Sequence, residues 1–173
     1  MKTLPALAAL LVLWAVDISA QEFVWTEFRS AVVGFSVQFP GTPQVVEVKD
    51  DVNKGVVHHR YTVRLGGRGF NVTCTDYGEV IPDRLVERMM TGSRDAMVQG
   101  MKAKLLEDAP LQCDRYPGRR FVLSGPELWI SVKMCVAGRM HCVAQATNSQ
   151  GPWPAEVVTR FHSSFTLFPP TAQ

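Results

Sequence analysis

The sequence predicts an α+β domain, an antiparallel sheet with two main helices packed against it, and three observations carry that reading. Most of the chain alternates apolar and polar residues in short runs separated by Gly, Pro and Asp turns. Over Pro82 to Met101 the apolar period changes to three and four residues, and it does so again from about Pro154. Strands, helix, strands, helix in that order give a layered α+β arrangement. A chain of 173 residues is long enough for one core and does not require two.

Residues 1–20 differ in kind from the rest. Met1-Lys2 are basic, Leu4 to Val16 form an apolar run broken only by Pro5, and Ile18-Ser19-Ala20 places a small residue before Gln21. That order is read as a cleavable secretion signal. A membrane-spanning helix takes roughly 20 apolar residues, more than this run offers, and no later segment approaches that length. No cysteine at the cleavage site gives lipid a point of attachment. The division predicted is therefore signal peptide 1–20, N-terminal extension 21–33, a single α+β domain 34–168 and a tail 169–173.

The first strand of the domain is Gly34 to Phe39, with Phe35, Val37 and Phe39 on one face and Ser36 and Gln38 on the other. Pro40-Gly41-Thr42-Pro43 ends it, because proline lacks the ladder donor. A strand at Gln44 to Val48 and a polar turn at Asp50 to Gly55 follow. Val57, His59, Tyr61, Val63 and Leu65 then share one face of a long strand. Gly66-Gly67-Arg68-Gly69 turns the chain into Phe70 to Tyr77, which makes these two runs a β-hairpin.

In the helix, Leu85, Val86, Met89, Met90, Ala96, Met97 and Met101 form the apolar stripe. Its methionines read as core filling rather than metal ligands. Pro82 suits the first helical position, and Gly92 inside costs about 1 kcal/mol relative to alanine. Strands at Lys104 to Cys113, Arg119 to Ser124, Leu128 to Val136 and Met140 to Thr147 follow, with connections short enough to imply antiparallel pairing. Trp153, Val157, Phe161 and Phe165 set the face of the terminal helix.

With 46% hydrophobic and 20% charged residues, the composition is that of a folding chain. Removing residues 1–20 takes away Lys2 and Asp17, which cancel, so the net charge stays +2. So small an excess predicts no nucleic-acid partner. Arg64 with Arg68, and Arg115 with Arg119 and Arg120, read as solvated loop charges.

Three stretches, Phe35-Ser-Val-Gln-Phe-Pro-Gly-Thr-Pro43, Tyr116-Pro-Gly-Arg-Arg-Phe121 and Arg160-Phe-His-Ser-Ser-Phe-Thr-Leu-Phe168, together resemble exported bacterial domains of the PsbP-like and DcrB-like superfamily. The resemblance spans roughly residues 34–168. It implies an α/β/α sandwich in proteins that act as extrinsic subunits, interaction modules or envelope proteins. PsbP-type proteins assist the photosynthetic oxygen-evolving complex, and no motif here matches that role. The matching residues are turn and core residues, so the resemblance carries a fold and no site.

Cys74, Cys113, Cys135 and Cys142 all lie beyond the signal, and an even number in an exported protein permits two disulfides. Gly138-Arg139 reads as a type II′ turn, which sets Ala137 opposite Met140, Val136 opposite His141 and Cys135 opposite Cys142. Opposed residues lie about 4.5–5.5 Å apart at Cα, within disulfide reach, so Cys135–Cys142 is the expected bridge and Cys74–Cys113 the second. Zinc at Cys135, His141 and Cys142 is disfavoured because His141 and Cys142 are consecutive in a strand and point to opposite faces. His58 and His59 are separated in the same way.

Cys74 with His59, on neighbouring strands, is the one nucleophile and base pairing the hairpin makes plausible, and both face the core, where thiols are inert. Asn71-Val72-Thr73 matches the glycosylation pattern but falls inside a strand. No phosphate loop, nucleophile elbow or paired carboxylates appear. The expectation is a non-catalytic exported domain, periplasmic or secreted, with no cofactor and no membrane span once the signal is cleaved. It would bind a protein or small ligand through a sheet edge, a loop or a pocket between layers. A cysteine-dependent hydrolase or thiol redox protein is the alternative.

Overall fold

The computed structural model describes residues 23–169. The predicted signal, residues 1–20, and residues 170–173 of the predicted tail lie outside the described residues. The elements run β1 (Thr26–Ser30), β2 (Phe35–Phe39), β3 (Gln44–Lys49), β4 (Val57–Leu65), β5 (Arg68–Asp76), α1 (Asp83–Gly100), β6 (Lys104–Cys113), β7 (Tyr116–Ser124), β8 (Trp129–Ala137), β9 (Met140–Asn148), α2 (Ala155–Ser164) and β10 (Thr166–Leu167).

Seven strands form one sheet in the order β3-β4-β5-β9-β8-β7-β6, and β1-β2-β10 form a small one. Every pairing is antiparallel. The β4–β5 hairpin predicted from alternation forms in unbroken register from Val57 opposite Asp76 to Leu65 opposite Arg68. Gly66 turns it with φ 64°, a conformation glycine adopts without steric cost.

Strand alternation sends the large sheet's side chains to two faces, and each face has its own cover. Over β7 and β8, α1 lays Val86 and Met90 on Phe121, Leu123, Ile130, Val132 and Met134. On the other face α2 and the small sheet press Phe35, Phe39, Phe161 and Phe165 toward Tyr61, Phe70 and Ala144, all of them buried. The ring centroids of Phe70 and Phe161 are 5.0 Å apart and those of Phe35 and Tyr61 4.8 Å, edge-to-face geometries worth about 0.5–1.5 kcal/mol each beyond the area buried. Helix on one face, helix and small sheet on the other, is the α/β/α layering.

A polar cluster fixes α1 to the sheet. Arg119 on β7 donates from Nη1 to Asp108 Oδ1 on β6 at 2.6 Å and from Nη2 to Glu87 Oε1 on α1 at 2.5 Å. Arg94 on α1 also donates to Asp108. Arg119 is only 9% exposed, so it is a tie between helix and sheet and not the solvated loop charge its sequence neighbourhood suggests.

Pro82 sits at the N-cap, one residue before the first helical position expected of it. Gly92 is exposed on α1, and a Cβ there would meet nothing within 4 Å. Gly92→Ala should therefore stabilise the protein by about 0.5–1 kcal/mol, read as a higher urea midpoint with an unchanged slope.

Two elements go beyond the sequence reading. Thr26–Ser30, within the expected extension, pairs with β2, and the two-residue β10 pairs with β2 from its other side. Neither shows alternation long enough to read alone, and both are strands because β2 offers two edges. Ser30 Oγ, 3.0 Å from the Tyr61 hydroxyl, ties the small sheet to the large one.

Candidate functional site

A row of side chains crosses the α2 face of the large sheet. Glu47, His59, Cys74, Cys142, Cys135 and Gly118 lie opposite one another in turn from β3 to β7. The expected facing of Cys135 and Cys142 is present in that register, but the bridge is not. Cys74 bonds Cys142, and Cys113 bonds Cys135.

The reason is that Cys142 has a facing cysteine on each side. Cys74 and Cys142 are 4.0 Å apart at Cα, the narrow antiparallel spacing in which both residues turn their backbone groups away from each other. Cys142 then directs its N–H and C=O toward β8, which makes Cys142 and Cys135 the wide pair at about 5.5 Å. Cys135 instead reaches Cys113 at the end of β6, 6.1 Å away at Cα, over Gly118 of the intervening β7.

His59 does face Cys74, as the hairpin predicted, yet the sulfur is in a disulfide and His59 Nδ1 lies 3.6 Å from Glu47 Oε2. With all four sulfurs paired, the cysteine-dependent alternative has no resting thiolate. His141 points to the α1 face while Cys142 points to the α2 face, so Cys135, His141 and Cys142 form no ligand set. Asn71 sits mid-strand, donating to Thr62 Oγ1 at 2.9 Å and accepting from Thr73 Oγ1 at 2.8 Å.

The concave feature with the best chemistry lies further along the same face. There α2 covers the sheet only partly, leaving a groove of about 400 Å³ between the helix and β6, β7 and β8. Val122, Ser131 and Trp129 form the floor, Val158, Thr159 and His162 the helix wall, and Trp153 one end. Trp153 is held by its Nε1–H to the Thr147 carbonyl at 2.9 Å and by its ring against Phe70 at 5.0 Å. Glu107 and Arg120 stand at the rim.

One polar side chain of this groove is unused. The Arg120 side chain makes no hydrogen bond or ion pair among the described residues. His162 is buried in the helix wall, its ring against the backbone of Ala144 and Ser131 and its Nε2 closed off from solvent. Burial, reinforced by the Lys133 charge, pulls His162 down to about 4, so the ring is neutral at physiological pH. Lys133 on β8 donates to the carbonyls of His162 at 2.8 Å and Phe165 at 3.0 Å, a cation on the last turn of α2 that fixes the groove's wall. Burial lowers the Lys133 pKa.

Neither a protein-family model nor a curated protein matches the sequence. The fold does match: it is similar to the solution structure of cyanobacterial PsbP (CyanoP) from Synechocystis sp. PCC 6803, with TM-score 0.55 and 16% sequence identity over 83% of this chain and 92% of that one. The chain has a PsbP-like fold. At this identity the likeness carries the architecture and leaves function to the side chains.

Within the PsbP-like sandwich, the groove residues were not singled out by sequence. In the sequence Arg120 is one charge of a basic cluster, Trp153 marks the face of the terminal helix, and His162 stands only within the stretch Arg160 to Phe168. The available signal was the alternation of β7, which puts Arg120 and Val122 on the face opposite Phe121 and Leu123. An arginine on an apolar strand face points to a partner there.

Proposed function

We propose that the protein is a non-catalytic, exported accessory domain, and that its α2 groove holds an elongated, mostly apolar ligand whose acidic end meets Arg120. Residues 1–20 are its cleaved signal, and its folded unit is residues 34–168 together with β1 from the preceding extension. The observation that carries the reading is a concave, mostly apolar surface at which one exposed guanidinium, that of Arg120, has no partner. Such pockets, apolar with a few convergent polar groups, are the usual form of ligand sites. Two disulfides in a chain with a secretion-type leader support export. Among the described residues no helix is long and apolar enough to cross a membrane.

Decanoate serves as a probe, having an alkyl chain and one carboxylate. Titration followed by two-dimensional NMR should shift the Trp129 indole N–H and the α2 amides saturably. Arg120→Ala should weaken binding about tenfold, the value of one charge-assisted hydrogen bond. Shifts that do not saturate, or an Arg120→Ala protein that binds equally well, would overturn the assignment.

A further inference from the structure

The two edges of the seven-stranded sheet are built differently. The β6 edge carries Pro110, a register shift between Leu105 and Glu107, and the charges of Lys104, Glu107 and Asp108. Proline, bulges and charges are the devices by which sheets block further pairing. The β3 edge has none of these but its charges: its register runs unbroken from Gln44 opposite Thr62 to Lys49 opposite Val57, and it contains no proline. All its residues are exposed, with Val45 at 55%, Val46 at 40% and Val48 at 47%.

The ladder identifies which backbone groups of β3 are free. Because Cys74 and Cys142 are a narrow pair, Cys74 turns its N–H and C=O toward β4. His59, opposite Cys74, turns its own toward β5, and Glu47, opposite His59, therefore directs its N–H and C=O outward. By alternation Val45, Glu47 and Lys49 form the outward row.

From this we infer that β3 pairs antiparallel with β3 of a second copy of this chain, about a two-fold axis through Glu47. The strand is its own complement in that register. The outward groups of Val45, Glu47 and Lys49 meet the same groups of the other copy, Val46 lies opposite the other copy's Val48, and Val45 opposite its Lys49. Each Glu47 has the other copy's Lys49 diagonally beside it, so the two carboxylates on the axis are offset by two ammonium groups. The result is an isologous dimer with a continuous sheet through both copies. A one-strand contact falls in the weak, concentration-dependent class.

Sedimentation velocity of the purified protein from about 10 µM to about 500 µM should show a reversible monomer–dimer equilibrium. Glu47→Pro removes the central outward N–H without removing a bond to β4 and should weaken the dimer at least about tenfold. Val46→Lys with Val48→Lys puts like charges opposite each other and should do the same, while both variants keep the wild-type circular dichroism spectrum. A monomer throughout, or a dimer untouched by both variants, overturns the proposal. So does a monomer that pairs β3 only with a foreign peptide.

Discussion

Lowering the pH from 7 to 4 should remove most of the protein's stability, with the urea midpoint falling steadily from about pH 6.5 downward. His141 and His162 are responsible. His141 lies 5% exposed on the α1 face of β9, opposite Thr75 and Val136, with Nε2 unpartnered, and burial lowers it to about 4. His162 is pulled to about 4 by burial and by Lys133.

Each folded value lies below the unfolded 6.5, so between pH 6.5 and 4 the unfolded chain binds protons that the folded chain refuses, and stability rises with pH across that window. About 2.5 pK units at roughly 1.4 kcal/mol per unit is on the order of 3 kcal/mol per histidine. Two such terms approach the whole stability of an ordinary domain, about 5–15 kcal/mol. Asp108 adds to the loss at the acid end. Burial would raise it, but its hydrogen bonds to Arg119 and Arg94 hold it below the usual carboxylate value. That stabilisation disappears as the pH falls below about 4. His141→Leu should halve the slope between pH 6.5 and 4, and an urea midpoint flat over that range would refute the account.

Gly118→Ala should prevent the Cys113–Cys135 bridge and destabilise the protein by roughly 2–5 kcal/mol, the usual consequence of losing a native disulfide in a small domain. A Cβ at position 118 would lie 2.6 Å from Cys113 Sγ, 2.7 Å from the Met134 carbonyl oxygen and 2.8 Å from Leu111 Cδ1. The carbonyl belongs to a central strand and cannot withdraw without breaking the ladder.

The cysteine released would not stay idle. Cys135 faces Cys142, so its thiolate can attack Cys142 Sγ, forming Cys135–Cys142 and expelling Cys74 as a thiolate. Peptide mapping without reduction should find Cys74–Cys142 and Cys113–Cys135 in the native protein, and a fraction of Cys135–Cys142 in Gly118→Ala. Native pairing unchanged in the variant, with no loss of stability, would refute the prediction. The chain-entropy model favours the native arrangement too. Loops of 68 and 22 residues are worth about 4 and about 3 kcal/mol, against about 2 for the short hairpin loop and about 4 for Cys74–Cys113, so the margin is on the order of 1 kcal/mol.

Much of the fold was legible because each long strand declares one face by alternation and α1 declares another period. The hairpin register at Gly138-Arg139 could be read to the residue. The disulfide pairing could not, because it depends on Cys142 being flanked by β5 as well as β8, and that neighbour comes from the order of strands in the sheet. The groove was hidden for a similar reason. Its wall is fastened to β2, where the Gln38 amide donates to Ser164 Oγ and Arg160 Nε donates to Gln38 Oε1, and the two-residue β10 that follows α2 onto β2 has no sequence signature. Arg120 looked like a neighbour of Arg119, yet alternation places one over the groove and the other under α1.

The small sheet also imposes an order in time. Thr166 on β10 pairs with Ser36 on β2 across 130 residues, their hydroxyls 2.9 Å apart, and the Gln38 amide reaches Ser164 Oγ at 2.9 Å. A chain emerging N-terminus first presents β2 almost at once and must wait for nearly everything else before β2 finds its second neighbour. Until then Phe35 and Phe39 lack Phe165 and Phe161.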